Sequence, residues 1–159
     1  METVSECNII VEVQNNTYDF TSPGWPYGYD SFLSCNWVFF SPSGTHLKLR
    51  FLTMDLEETS ECTDDFVAVY SGNALTDESN AKLLQKLCLA NSTSVDIDVD
   101  NVMTVKFETD GYRNNSGFSA FVSKGVKLFF SFFFFIRDMR SFVDLIAQSV
   151  VARWKVQTE

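Results

Sequence analysis

The residues with the clearest capacity for chemistry are four widely spaced cysteines, Cys7, Cys35, Cys62 and Cys88. They form no CxxC pair and the chain has a single histidine, so a zinc site is a poor fit and two disulfides are the better interpretation. Four cysteines permit three pairings, and sequence order alone does not choose among them. The sequential pairing, Cys7 with Cys35 and Cys62 with Cys88, closes the shortest loops, and by loop entropy each bridge contributes about 3 to 4 kcal/mol.

Three N-x-S/T sequons, which begin at Asn15, Asn91 and Asn114, accompany the cysteines. Glycosylation sequons and persistent cystines both belong to the secretory route, so they indicate a secreted or extracellular protein with three candidate glycosylation sites. A secretory leader needs a charged stretch followed by an apolar run, and the segment Met1–Cys7 offers neither. We therefore expect the sequence to be a fragment or to come from a mis-started gene model.

Catalytic machinery is hard to assemble from this sequence. An enzyme needs a nucleophile with its base, paired carboxylates in a cleft, or a metal with an open coordination position. The single histidine, His46, begins a strand-like window, and the sequence has no GxSxG, HExxH or glycine-rich phosphate loop. A hydrolytic pair of Glu57 and Asp65 stays formally open. We predict that the chain is not an enzyme.

Charge is divided unevenly along the chain. Residues 1–123 carry 18 acidic and 6 basic side chains, a net charge of −12, whereas residues 124–159 carry 3 acidic and 6 basic side chains, a net charge of +3. An acidic domain repels nucleic-acid phosphates and anionic lipid headgroups, and it favours cations and basic protein surfaces. We therefore expect no nucleic-acid partner.

The elements that must position these residues are short strands. Apolar and polar residues alternate in six windows before Lys124, as half-buried strands require. The windows are Asn36–Phe40, His46–Phe51, Phe66–Tyr70, Ser94–Val99, Met103–Phe107 and Phe118–Val122. Turn signals such as Pro42-Ser43-Gly44 separate them, and one helical turn is predicted within Asn80–Leu87. No βαβ alternation occurs, so the pattern favours an all-β sandwich.

The order of these features resembles the CUB domain of complement proteases, astacin-like proteases, neuropilins and spermadhesins. Beyond the cysteines, the matching residues are Ser22–Tyr29, Asn36–Trp37, Phe51, Asp55–Glu57, Thr63–Val67, Tyr70–Gly72, Asp110 and Gly117–Phe118. The resemblance covers residues 7–123 and implies one CUB domain there. Its implied structure is a jelly-roll-like sandwich of two antiparallel sheets with two sequential disulfides.

The resemblance extends to the calcium-binding subset of the family. That subset binds Ca²⁺ through a Glu before the third cysteine, an Asp three residues after it and an Asp before the last strand, which correspond here to Glu57, Asp65 and Asp110. A tyrosine in the first proline-rich loop, here Tyr29, is implied to hydrogen-bond a ligating carboxylate. Such a set suits calcium, which takes about six to eight oxygen ligands. The neighbouring Asp64 is expected to be a solvated charge.

The function implied by the resemblance is calcium-dependent binding of another extracellular protein. A lysine or arginine exposed on the partner would pair with the calcium-liganding carboxylates, while the ion fixes the geometry of the loops. Two alternatives stay open, a calcium-independent structural spacer and an accessory fragment of a secreted multidomain protease. Family membership alone does not name the partner.

The tail from residue 124 to residue 159 departs from the pattern of the domain. It contains the phenylalanine-rich run Val126–Ile136, whose eleven residues would span about 16 Å as a helix, half of a bilayer core. We therefore expect no transmembrane span. Because a pyrimidine-rich tract encodes such a run, we expect the tail to be a gene-model artefact, either translated intron or a mis-joined exon.

Overall fold

Alternation of apolar and polar residues along the chain produces strands that assemble into two sheets. In the computed structural model the described residues are 6–14, 16–77, 79–89, 93, 96–112 and 115–126, and all of them lie in one compact unit, Met1–Lys127. The strands in these residues are β1 Ile9–Glu12, β2 Thr17–Thr21, β3 Ser34–Phe40, β4 Thr45–Asp55, β5 Phe66–Ser71, β6 Lys82–Leu87, β7 Asp96–Val99, β8 Val102–Glu108 and β9 Gly117–Val126.

The two sheets face each other as a sandwich of five and four strands. The five-stranded sheet has the order β1-β3-β8-β5-β6, and the four-stranded sheet has the order β2-β9-β4-β7. Among the described residues every strand pair is antiparallel except β1 with β3, which run parallel. The two-sheet all-β fold predicted from the sequence is confirmed, and the parallel pair is an addition to it.

The core lies between the sheets because each strand points alternate side chains inward. In β4 the inward side chains are those of Leu47, Leu49 and Phe51, and all three are buried. Trp37 of β3 is also buried, and its ring meets that of Phe118 at a centroid distance of 5.9 Å. Burying a large apolar side chain contributes roughly 1.5 to 3 kcal/mol, so this aromatic core is the main support of the loops at the sandwich ends.

One local prediction was wrong, since the segment Asn80–Leu87 contains a strand where a helical turn was expected. Lys82–Leu87 form β6, which pairs with β5 across a register shift between Val69 and Tyr70. A single helical turn is costly to nucleate, whereas pairing with β5 supplies a ladder of backbone hydrogen bonds. Leu84 also packs against the core from this strand. Tertiary pairing therefore decides the conformation of this segment.

Both disulfides form with the sequential pairing. Cys7 is bonded to Cys35 and Cys62 is bonded to Cys88, with Cα–Cα distances of 5.1 and 5.4 Å. The first bridge joins the segment before β1 to β3. The second joins the loop after β4 to the residue that follows β6, so it anchors the loop that carries Glu57 and Asp65.

Several predicted features lie outside the described residues. These are the sequons at Asn15, Asn91 and Asn114 and the predicted tail from residue 127 onward. The first three residues assigned to that tail, 124–126, belong to β9, which pairs with β4 as far as Val126. The described part of the chain has no helix with the length and apolar character needed to cross a bilayer.

Candidate metal centre

Three loops meet at one end of the sandwich. They are Ser22–Leu33 between β2 and β3, Leu56–Asp65 between β4 and β5, and residues 109–116 between β8 and β9. Backbone hydrogen bonds join the first loop to the third, from the Phe32 N–H to the Asp110 carbonyl at 2.9 Å and from the Tyr29 N–H to the Asn115 carbonyl at 3.2 Å. The sheets therefore fix three loops that are distant in sequence within hydrogen-bonding reach of one another.

Tyr29 forms part of a buried floor beneath these loops. Its hydroxyl donates a hydrogen bond to Oδ2 of Asp65 at 2.5 Å and accepts one from the backbone N–H of Glu57 at 3.2 Å. Its ring packs edge-on against Phe107 at a centroid distance of 5.2 Å. Burial, together with the hydrogen bond to Asp65, raises the pKa of Tyr29. The phenol therefore stays neutral at physiological pH and keeps the proton that it donates.

Asp65 connects the three loops. It is fully buried, and its second oxygen, Oδ1, accepts a hydrogen bond from the backbone N–H of Asp110 at 2.8 Å. The side chain of Asp110 in turn accepts a hydrogen bond from the N–H of Tyr112 at 2.7 Å. A buried carboxylate is costly unless hydrogen-bonded, so the contacts that Asp65 makes with Tyr29 and Asp110 hold the loops together.

Three further carboxylates converge beside this floor. Glu57, Asp64 and Asp110 are half-buried, and one oxygen from each lies within 4.8 Å of the other two. Like charges at this separation repel one another, and a hard cation bound between their oxygens would remove that repulsion. We name these three residues the acidic edge. Their oxygen donors have the chemistry that a calcium ion requires.

The predicted site residues thus divide between the buried floor and the acidic edge. Glu57 and Asp110 lie in the acidic edge, whereas Asp65 lies in the buried floor with Tyr29. Asp64, which was expected to be a solvated charge, contributes its carboxylate to the acidic edge. Asp64 and Asp65 are adjacent acids just before β5, and residue type alone does not indicate which of them is buried.

This fold and its sequence match a known protein family. The family model described as the CUB domain matches residues 7–121. The chain belongs to the CUB family. The resemblance inferred from the sequence is thereby confirmed for the domain itself.

Relatives of this CUB domain are parts of longer proteins. The chain is similar to cubilin of Canis lupus familiaris, with 34% identity over 105 residues that cover 66% of the chain and 3% of cubilin. It is similar to the full extracellular region of zebrafish Gpr126/Adgrg6, with 28% identity, a TM-score of 0.64, and coverage of 76% of this chain and 15% of that one. Its fold matches the MASP-1 CUB2 domain bound to Ca²⁺, with 18% identity, a TM-score of 0.58, and coverage of 74% and 98%.

Asp55, the last residue of β4 in this CUB domain, holds the segment that precedes β9. Its carboxylate accepts hydrogen bonds from the Ser116 N–H at 3.0 Å and from Nδ2 of Asn115 at 3.1 Å. The hydrogen bonds from Ser116 lower the pKa of Asp55. A depression of about 360 Å³ opens beside Glu57 and is lined by Asp55, Leu56, Glu57, Glu58 and Asn115. The roles of Asn115 and Ser116 were not predicted from the sequence, because they depend on the approach of β9 to β4.

Proposed function

We propose that this CUB domain is an extracellular, calcium-dependent protein-binding module without catalytic activity of its own. The observation that carries the proposal is the convergence of the Glu57, Asp64 and Asp110 carboxylates within 4.8 Å. The calcium ion of the MASP-1 CUB2 domain supports it, since that domain has the same fold. The two disulfides, and the similar segment in the extracellular region of Gpr126/Adgrg6, support an extracellular location.

The residues that would hold calcium are Glu57, Asp65 and Asp110, with Asp64 at the rim. Each oxygen of Asp65 accepts a hydrogen bond, from Tyr29 or from the Asp110 N–H, and a carboxylate oxygen has capacity for a second contact. Backbone carbonyls and waters would complete a shell of about six to eight oxygens. Calcium bound there neutralises the repulsion among the carboxylates and stabilises one arrangement of the loops.

The partner would contribute a lysine or arginine side chain to this site. Carboxylates that remain partly exposed beside the ion accept charge-assisted hydrogen bonds, and loops already ordered by calcium lower the entropic cost of association. The Phe32 N–H donates a hydrogen bond to the Asp110 carbonyl, Tyr112 lies two residues after Asp110, and both rings are largely exposed. Rings in this position offer apolar contact to the aliphatic stem of a lysine or arginine.

Calcium binding is tested by thermal unfolding of the full chain in calcium, in magnesium and in chelator. We expect calcium to raise the unfolding midpoint, by the equivalent of about 2.7 kcal/mol at a concentration 100 times the dissociation constant. Asp110→Asn should abolish the increase. The matched control is Asp98→Asn, because Asp98 is an exposed aspartate that lies 3.6 Å from Lys48, away from the acidic edge. Equal midpoints of the parent in calcium and in chelator would refute the calcium site.

Capture of a basic side chain is tested with small probes. We expect N-acetyl-lysine methylamide to perturb the amide resonances of Asp110 and Tyr112 in the presence of calcium. The uncharged control is N-acetyl-norleucine methylamide, which keeps the four-carbon chain of lysine, lacks the ammonium group and should have no effect. Equal perturbation by both probes would show that the site does not recognise positive charge.

A second candidate function is that of a structural spacer that needs no calcium. The observation in its favour is that the hydrogen bonds of Asp65 and Asp55 already link the three loops through the protein's own groups. A spacer would have the same stability in calcium and in chelator and would bind neither probe.

A further inference from the structure

Thr109, the residue that follows β8, ties the first loop of the candidate metal centre to the third. Its hydroxyl donates a hydrogen bond to the Asp30 carbonyl at 3.0 Å and accepts one from the Leu33 N–H at 2.8 Å. The Thr109 N–H donates to the Leu33 carbonyl at 3.0 Å. Thr109 is buried, and hydrogen bonds shielded from water are stronger than exposed ones. One side chain thus holds both ends of the segment 30–33.

Asp110, the next residue along the chain, is held through its backbone on two sides. Its carbonyl accepts a hydrogen bond from the Phe32 N–H at 2.9 Å, and its N–H donates to Oδ1 of Asp65 at 2.8 Å. The first loop thus engages one backbone group of Asp110, and the second loop engages the other. The carboxylate of Asp110 belongs to the acidic edge. The bonds made by Thr109 therefore help to fix where that carboxylate lies.

Phe32, within the segment that Thr109 holds, has a strained backbone. Its φ is 57°, in the left-handed region that bulky aromatic residues seldom adopt, and its ring is 81% exposed. A Cβ atom added at Gly111 would lie 2.6 Å from Cζ of this ring, so the ring rests directly on the Gly111 backbone. Strained residues persist only where the surrounding contacts impose their conformation. The contacts of Phe32 come from the segment 109–111.

The carboxylate that would bind calcium and the exposed ring therefore share one connected backbone. A calcium ion held by the Asp110 carboxylate would restrict the motion of that residue. The restriction would reach the segment 30–33 through the Phe32–Asp110 hydrogen bond and through the hydroxyl of Thr109. Two binding events that order the same segment favour each other, because the second one pays less of the ordering entropy.

Thr104, in β8 itself, makes an equivalent pair of hydrogen bonds at a different place. Its hydroxyl donates to the Gly72 carbonyl at 2.7 Å and accepts from the Ala74 N–H at 3.0 Å. Thr104 is also buried. Its two partners lie in the turn that follows β5, outside the three loops of the candidate metal centre. Thr104 is therefore a matched control for the hydroxyl of Thr109.

We propose that Thr109 is the positioning residue that couples calcium binding at the acidic edge to the conformation of the exposed Phe32 ring. This inference rests on the proposed function, because it concerns how the same site is regulated. The Thr109 hydroxyl holds Asp110 in place for calcium, and calcium in turn orders the segment that presents Phe32. A partner that contacts the ordered ring therefore raises the affinity for calcium, and calcium raises the affinity for that partner by the same factor.

The first test is a calorimetric titration of calcium into the full chain and its variants. Thr109→Val replaces the hydroxyl with a methyl group of similar size, and we expect it to weaken calcium binding about tenfold, as is typical when a group that orients a metal ligand is removed. Thr109→Ser keeps the hydroxyl and should keep most of the affinity. Thr104→Val removes the equivalent buried hydroxyl elsewhere and should leave the calcium affinity unchanged.

Amide hydrogen exchange followed by NMR supplies a readout that a loss of stability alone would not reproduce. We expect calcium to slow the exchange of the Phe32 and Leu33 amides in the parent, because their acceptors lie in the segment that calcium orders. Calcium should slow these two amides less in Thr109→Val. In Thr104→Val the effect of calcium on them should equal that in the parent.

The coupling is overturned if Thr109→Val binds calcium as tightly as the parent, or if Thr104→Val loses as much affinity as Thr109→Val. It is also overturned, with no variant needed, if the Phe32 and Leu33 amides of the parent exchange equally fast with and without bound calcium. A parent that binds no calcium would refute the proposed function and the coupling together. Normal calcium binding in both the parent and Thr109→Val would overturn the coupling alone.

Discussion

The acidic edge and the outer face of the four-stranded sheet both present carboxylates, and the protein builds them by different means. The acidic edge consists of loop residues whose positions depend on the buried hydrogen bonds of Tyr29 and Asp65. The outer face of the four-stranded sheet consists of strand residues whose positions follow from register, and there Lys48 and Arg50 form ion pairs with Asp96. A loop site gains from an ion that orders it, whereas a sheet face is already ordered. Calcium should therefore control the first surface and leave the second unchanged.

The largest expected effect is that of Asp65→Ala. The substitution leaves the Tyr29 hydroxyl and the Asp110 N–H without their buried acceptor, so we expect the free energy of unfolding to fall by about 2 to 4 kcal/mol. Urea denaturation in chelator measures the change, and calcium should no longer stabilise the variant. Asp64→Ala is the matched control, since it removes the adjacent, partly exposed carboxylate and should change stability by less than about 0.5 kcal/mol. Equal losses in the two variants would break the distinction between floor and edge.

The next effect in size is that of Tyr29→Phe. The ring packing against Phe107 is kept while the hydroxyl that binds Asp65 and the Glu57 N–H is removed. We expect a loss of about 1 to 2 kcal/mol in the free energy of unfolding and a weaker affinity for calcium. Unchanged stability and unchanged calcium affinity would show that the Tyr29 hydroxyl does not support the floor of the site.

Phe32→Asn should have a smaller effect, and one of opposite sign. Phe32 has a φ of 57°, in the left-handed region that asparagine tolerates better than a bulky aromatic residue. We expect the free energy of unfolding to rise by about 1 kcal/mol as this strain is relieved. Affinity for the lysine probe should fall at the same time, because the exposed ring beside the acidic edge is lost. A fall in stability would show that the ring is needed for the fold.

The smallest effect on the free energy of unfolding is expected for Asp96→Asn, on the outer face of the four-stranded sheet. Hydrogen bonds from Arg50 lower the pKa of Asp96. Because the folded-state pKa is below the unfolded value of about 3.9, this pairing stabilises the protein above that pH and is lost as pH falls through the folded value. The stability difference between the parent and Asp96→Asn should therefore be present at neutral pH and disappear in strong acid. A difference that persists there would assign the effect to packing.

Sequence patterns predict the strands of the two sheets better than they predict the environments of individual side chains. Alternation of apolar and polar residues correctly predicts β3, β4 and β8, because each of these strands has one face in the core. The segment of β6 does not alternate regularly, and it is a strand because β5 offers it a hydrogen-bonding edge. Asp65 is buried and accepts a hydrogen bond from Tyr29 of another loop, whereas Asp64 is half-buried. This difference depends on a contact between loops that are distant in sequence. Ile10, Val38 and Leu83 share a face only through strand register, which the sequence alone does not provide.

Calorimetric titration of calcium into the chelator-treated full chain tests the central claim most directly. We expect one saturable site in the parent and in Asp98→Asn, and no saturable heat in Asp110→Asn. If the parent gives no saturable heat, or if Asp110→Asn binds calcium as tightly as the parent, then the acidic edge is not a calcium site and the spacer function takes its place.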